Sequence, residues 1–284
     1  MGNHHRIAIV TDSTSDLPPG LAEQYAITVV PLYVLWGDEQ LRDGVDISNS
    51  EFYARLPTDP DHPTTSQPTP ADFVRAIEGL DAEEVLIFTL ARKLSATYES
   101  ALMAGEMVGV PVHVVNSNSV SMGLGWQVIA AARAREQGAD VAAMIAEAER
   151  VRQGLSVLFV VDTLEYLHKG GRIGGAARLL GSALQLKPLL EVNAEVGAVD
   201  SVERIRTRQR SLKRLVEATF ERIDPARPLR MSILSGGAPE ETQALFDEMQ
   251  QTFKPVELTI ARVSPVIGTH AGPGLVGLGG YNDG

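Results

Sequence analysis

Apolar residues in this chain fall into short unbroken runs, each closed by a polar turn and followed by a segment with helical spacing. Residues 7–10, 85–90 and 112–115 are largely apolar stretches of the kind buried in parallel sheets, and 27–36 reads as one or two strands broken near Pro31. Between them, Pro18 and Pro19 open a short helix toward Tyr25, and 46–56 is helical with Ser48 or Ser50 as its cap. Another helix starts at Pro70 with Phe73, Ile77 and Leu80 on one face, and 95–108, 124–136 and 141–152 are helical in turn. Such alternation predicts a parallel sheet covered by helices.

The pattern then changes. A strand at 155–161, a short helix at 163–168 and a flexible turn at 170–175 come next. Strands are predicted at 189–192, 199–205, 229–234 and 256–263, with helices at 208–222 and 240–253. We place a boundary here, giving an N-terminal α/β domain of residues 1–154 and a C-terminal α/β domain of residues 155–284. Residues 272–277 match Gly-x-Gly-x-x-Gly but lack a following βαβ unit, so they read as a glycine-rich closing loop.

Composition narrows the choice of function. A chain of 284 residues with 44% hydrophobic and 21% charged residues can bury a large core in two domains or one large α/β unit. A net charge of −11 opposes nucleic acid and anionic membranes as general partners, and 5% aromatics leaves little for base stacking. Without cysteine there are no disulfides, thiol nucleophiles or cysteine–zinc sites. No run is long enough to span a membrane and the start lacks a secretory layout, so a cytoplasmic protein is expected, without stable membrane insertion but with transient membrane contact left open.

Strong catalytic signatures are absent from the sequence: there is no Gly-x-Ser-x-Gly elbow, no phosphate-binding loop and no His-Glu-x-x-His pair. The six histidines are scattered, so no metal site and no cofactor is predicted. His113 alternates with valines and reads as a satisfied core or edge residue, whereas His270 sits among small residues in a loop that would leave its imidazole accessible. Arg204, Arg206, Arg208, Arg210, Lys213 and Arg214 form a basic cluster that fits a solvated strand edge and helix face, or a docking and phosphate-contact patch.

Four segments are crowded with hydroxyls: 11–16, 64–69, 95–98 and 116–121, three of them directly after predicted strands. Any one could cap a helix. Together, at the carboxyl ends of parallel strands, they mark the edge where ligands bind, and they can hold a carboxylate or oxyanion without a fixed cation. Thr65 and Ser95 are the preferred contacts, with Ser66 and Thr97 beside them.

Thr11-Asp12-Ser13-Thr14-Ser15-Asp16-Leu17, Thr65-Ser66-Gln67-Pro68-Thr69-Pro70, Leu94-Ser95-Ala96-Thr97-Tyr98, the run from Leu164 to Ile173, Lys187-Pro188 and His270-Ala271-Gly272-Pro273-Gly274 together resemble the DegV family, in order and over nearly the full length. The resemblance implies two α/β domains with a fatty acid between them. It implies a lipid-binding protein rather than an enzyme, serving as the acyl-presenting subunit of a fatty acid kinase whose ATP-binding, dihydroxyacetone-kinase-like subunit is a separate protein in phospholipid metabolism. Carried over, Thr65 and Ser95 contact the carboxylate, while Arg172, Arg206 and His270 serve the kinase interaction or transfer to an acyl phosphate. The chain departs from the family pattern at Ala96, where Gly is usual, at Asn116, where Asp is common, and at Ser235, where His is common. The competing reading is an acyl hydrolase or acyltransferase with Ser95 as nucleophile and His270 as base.

Overall fold

The computed structural model describes residues 6–181 and 186–284. In chain order the elements are β1 (Ile7–Asp12), α1 (Leu21–Gln24), β2 (Ile27–Val30), β3 (Tyr33–Trp36), β4 (Glu39–Arg42), α2 (Asn49–Arg55), β5 (Thr64–Ser66), α3 (Pro70–Glu78), β6 (Glu84–Thr89), α4 (Thr97–Gly105) and β7 (Val112–Asn116). There follow α5 (Met122–Glu136), α6 (Val141–Gly154), β8 (Ser156–Val160), α7 (Glu165–Lys169), β9 (Leu189–Asn193), β10 (Ala198–Glu203), α8 (Arg208–Phe220), β11 (Leu229–Gly236), α9 (Pro239–Glu248), β12 (Glu257–Arg262), α10 (Pro265–Ala271) and β13 (Leu275–Asn282).

Three sheets organise them. The first, β2-β1-β6-β7, is wholly parallel, so the turns after β1, β6 and β7 lie on one edge. The second has six strands in the order β10-β9-β8-β13-β11-β12, antiparallel except for the β11–β12 pair. The third is a small antiparallel sheet, β4-β3-β5.

Local chemistry starts the helices where the sequence predicts. Ser48 caps α2 and Thr69 caps α3, each in a capping box with the acid three residues on, and Pro70 opens α3. Phe73 and Ile77 then pack on Val10, Val85 and Ile87. Residues 122–132 of α5 are buried on every side, the mark of a helix enclosed between layers. It packs against β1, β6 and β13, so one continuous core holds Ile9 and Phe88 of the parallel sheet together with Phe159, Leu190 and Leu234 of the six-stranded sheet. The opposite face of that sheet, with Leu158, Met231, Ile233 and Leu278, is covered by α8 and α9.

Five elements differ from the sequence reading. Residues 272–277 are not a closing loop, because from Leu275 they run in β13, a central strand between β8 and β11. A side chain at Gly277 would meet the Leu158 carbonyl at 2.7 Å, so close backbone packing explains a glycine there. His270 lies in the last turn of α10 rather than in an accessible loop, and it is half-buried. The predicted turn at 170–175 includes the start of a 3-10 segment, Gly174–Leu179. The short polar strands β4 and β5 carry too few apolar residues to be seen in the pattern.

Candidate functional site

The turns at the carboxyl edge of the parallel sheet face one side of the six-stranded sheet across a cavity of about 90 Å³. Its far wall is aliphatic and aromatic, with Val157 and Phe159 from β8, Val192 from β9, Val199 from β10, Leu234 from β11 and Leu275 from β13. Alternation along strands puts these residues on one face. α10 lies along the cavity, contributing Val266, Ile267, His270 and Ala271.

Separate polar contacts hold several of the wall residues in place. Thr65, paired with Val34 across the small sheet, places its Oγ1 2.8 Å from His270 Nε2. A Cβ on Gly170 would collide with the His270 ring, so α7 ends tightly against it. Arg172 donates from Nη1 to the Gly170 carbonyl at 2.8 Å and from Nε to the Leu94 carbonyl at 3.0 Å, which fixes its guanidinium. The Ser95 and Thr97 hydroxyls are 2.9 Å apart. Burial, followed by the Arg172 charge and then His62, pushes the His270 imidazole down to about 4, so it is neutral near pH 7, and its Nδ1 is buried without a partner. Two hydroxyls, a neutral imidazole and an oriented guanidinium suit a carboxylate, which needs donors.

Three buried aspartates stand behind the wall, and sequence reasoning did not select them. Asp12 accepts the Thr14 N–H and the Leu90 N–H, and also the Thr14 hydroxyl at 2.5 Å. Asp16 accepts the Ser121 hydroxyl at 2.5 Å and the Ser264 N–H at 3.0 Å, tying the first turn to the start of α10. Asp43 accepts from the Ser13 hydroxyl at 2.7 Å. Burial raises all three carboxyls, Asp12 to about 6, Asp43 to about 7 and Asp16 well above the ordinary carboxylate range. The hydroxyl-rich segment around Asp12 and Asp16 was the available signal, whereas nothing local marks Asp43 as buried.

Thr65, Ser95, Arg172 and His270 thus share one cavity wall. The other candidates do not line it. Ser66 sits beside Thr65 with its hydroxyl near the Gln67 carbonyl, and Thr97 is buried behind Ser95. Arg206 is exposed and borders a separate, more open hollow with Lys187 and Asp162. Half of the basic cluster is ion-paired: Arg208 is held by Glu241, Lys213 by Glu217, and Arg214 by Glu203, Glu217 and Glu221. His113, on the edge strand β7, is satisfied by Glu84 at 2.6 Å. Asn116 accepts from the Arg92 N–H and Ser235 accepts from the Thr242 hydroxyl. Ser95 pairs with Thr97 and His270 with Thr65, so the described residues offer no serine–histidine nucleophile pair. Among the described residues no group of three or more His, Asp or Glu could hold a metal, and no helix is long and apolar enough to cross a membrane.

The DegV family model, described as an uncharacterised protein family, matches residues 6–283. A DegV domain-containing protein of Streptomyces coelicolor is 38% identical over 280 residues, covering 96% of this chain and 97% of the relative. Among solved structures, one described as fatty acid binding of a DegV family protein from Thermus thermophilus superposes with a TM-score of 0.91 at 36% identity, covering 98% of this chain and 100% of that one. DegV of Bacillus subtilis, described as a fatty acid binding protein, gives 0.91 at 29% identity and covers the same shares.

Proposed function

The chain belongs to the DegV family, and from that premise and the chemistry of its cavity we propose that it binds a long-chain fatty acid and presents the carboxylate to a separate ATP-dependent fatty acid kinase. The observation that carries this reading is a largely apolar cavity whose wall includes Thr65, Ser95, Arg172 and His270, with Thr65 bonded to His270 and Arg172 held by the Leu94 carbonyl. Burying an acyl tail yields about 0.8 kcal/mol per methylene, so the tail supplies most of the affinity. Each hydrogen bond to the charged head adds roughly 1.5–3 kcal/mol and fixes which end faces the polar residues.

Thr65 and Ser95 are the carboxylate donors in this reading, with Ser66 and Thr97 supporting them from behind. Arg172 and His270 lie close enough to the head group to stabilise phosphoryl charge as it develops. Arg206, in its open hollow, is assigned to docking of the kinase. No phosphate-binding loop occurs in the sequence, so ATP belongs to the partner. The cavity draws its wall from both sides of residue 154, and we take 1–154 and 155–284 as two domains that close on the ligand.

Extraction of the denatured protein followed by mass spectrometry is expected to release about one fatty acid per chain, and a delipidated sample with no affinity for any fatty acid would refute the proposal. Ser95→Ala and Thr65→Ala should each weaken binding of the free acid while leaving binding of its methyl ester nearly unchanged. With a cognate kinase, Arg172→Ala and His270→Ala should lower acyl phosphate formation by more than they lower binding.

A further inference from the structure

The turn after β1 borders two hollows that have no wall residue in common. Thr14 belongs to the wall of the acyl cavity, whereas Ser13, Ser15 and Asp16 line a second, open hollow of about 370 Å³. The fatty-acid reading makes no use of it.

Acceptors crowd its floor. Asp43 takes the Ser13 hydroxyl on Oδ2, but Asp43 Oδ1 and Ser264 Oγ are buried with no hydrogen-bond partner among the described residues. Ser264 stands near both Asp43 and Asp16, yet its hydroxyl makes no well-formed bond to either. Asp16, Asp43 and Ser264 all line the hollow and are more than nine-tenths buried, with 7%, 3% and 7% of their surfaces exposed. Buried carboxylate oxygens are almost always paired, so a floor built this way calls for a donor. Without a cation, burial draws protons onto both carboxyls, and a bound ammonium supplies positive charge and three N–H donors in their place.

The remaining wall limits which cation fits. Leu17, Pro19, Val29, Pro31 and Val45 give the hollow an apolar side, and Val29 and Val45 are large apolar residues left 38% and 59% exposed. Arg262, at the rim, is exposed and has no ion-pair partner among the described residues, while Asn49 pins its backbone by donating to the Arg262 and Val263 carbonyls. A guanidinium and two carboxyls thus border one hollow without meeting. An occupant that satisfies all of them carries both charges and an aliphatic body, which argues against a bare metal ion.

We propose that this hollow binds a free α-amino acid with an aliphatic side chain, its ammonium on Asp43 and Ser264, its carboxylate on Arg262 and its side chain against Val29 and Val45.

The test is calorimetric titration of the full-length protein with leucine, alongside glycine, which lacks the side chain, leucinamide, which lacks the carboxylate, and N-acetylleucine, which lacks the ammonium. Leucine should bind once per chain with a Kd below about 1 mM. Each analogue should bind about 10-fold more weakly or worse, since each loses either a charged contact or the apolar one. Arg262→Ala and Asp43→Asn should each weaken leucine binding about 10-fold or more. Arg262 is on the surface, so its variant keeps the test decisive if the buried substitution impairs folding. No leucine binding at about 10 mM, or leucinamide and N-acetylleucine binding as tightly as leucine, or wild-type affinity in Arg262→Ala, would overturn the site. None of these outcomes bears on the acyl cavity, which is tested by its own lipid.

Discussion

The two walls of the cavity are built from opposite materials. On the parallel-sheet side, the turns after β1 and β6 bring Thr14, Leu90, Leu94 and Ser95 to the cavity, backed by buried Asp12, Asp16 and Asp43. On the other side, the six-stranded sheet presents a flat aliphatic face with Val157, Phe159, Val192 and Leu234. Strand ends expose backbone donors and short polar side chains, whereas strand middles expose alternate side chains and no free backbone. Under the proposed function, orientation of the fatty acid is a property of one sheet's edge and affinity a property of the other sheet's face.

Substitutions that act on one wall alone can break or sharpen this division. Phe159→Ala strips the largest side chain from the apolar face and should cost about 3–5 kcal/mol in urea denaturation of the apo protein, together with tail affinity. A smaller effect is expected on the polar side, and it depends on pH. Asp12 and Asp43 have folded-state values of about 6 and about 7, above those of an unfolded chain, so the folded state binds protons more tightly. Their contribution to stability is complete below about pH 4 and is lost as pH rises through 6 to 7. Asp43→Asn, which cannot ionise, should therefore lose less stability between pH 5 and pH 8 than the wild type, by roughly 2–4 kcal/mol, as read from denaturation midpoints at both values.

Ser95→Ala should reduce fatty-acid affinity by about 1.5–3 kcal/mol with little change in stability, as measured by calorimetric titration. If it weakened the methyl ester equally, the polar edge would have no special claim on the head group. The smallest effect belongs to Arg206→Ala, whose side chain lies outside the cavity. Binding should move by less than about 0.5 kcal/mol, and a larger change would mean that the two hollows communicate.

The sequence revealed the parts of the fold that depend on local pattern. β1, β6 and β7 are aliphatic runs, and α2 and α3 announce their caps at Ser48 and Thr69, so each is legible from a few neighbouring residues. β13 was hidden because glycines at 277, 279 and 280 break the expected strand composition, and the reason for at least one of them, the Leu158 carbonyl beside Gly277, lies more than a hundred residues away. α10 was hidden by Pro265 and Gly268, residues that usually mark loops. The site was half visible. Thr65, Ser95, Arg172 and His270 stood out in their motifs, but the aliphatic wall is assembled from five strands and carries no local signature. Asp43 looks like any surface acid until Ser13 and the core close around it.

The position of β13 has a consequence for how this protein is made. Residues 156–160 of β8 pair with residues 276–280, and residues 229–236 of β11 pair with the same strand from its other side. The parallel sheet has all its strands once residue 116 has left the ribosome, at a synthesis rate of about 5–20 residues per second. The six-stranded sheet must wait, with two hydrophobic strand edges open around an empty slot, until a segment more than a hundred residues beyond β8 and about forty beyond β11 arrives. During that interval the nascent chain has its polar edge but lacks a complete greasy face. Chaperone dependence and aggregation during synthesis should therefore map to β8 and β11 rather than to the N-terminal strands.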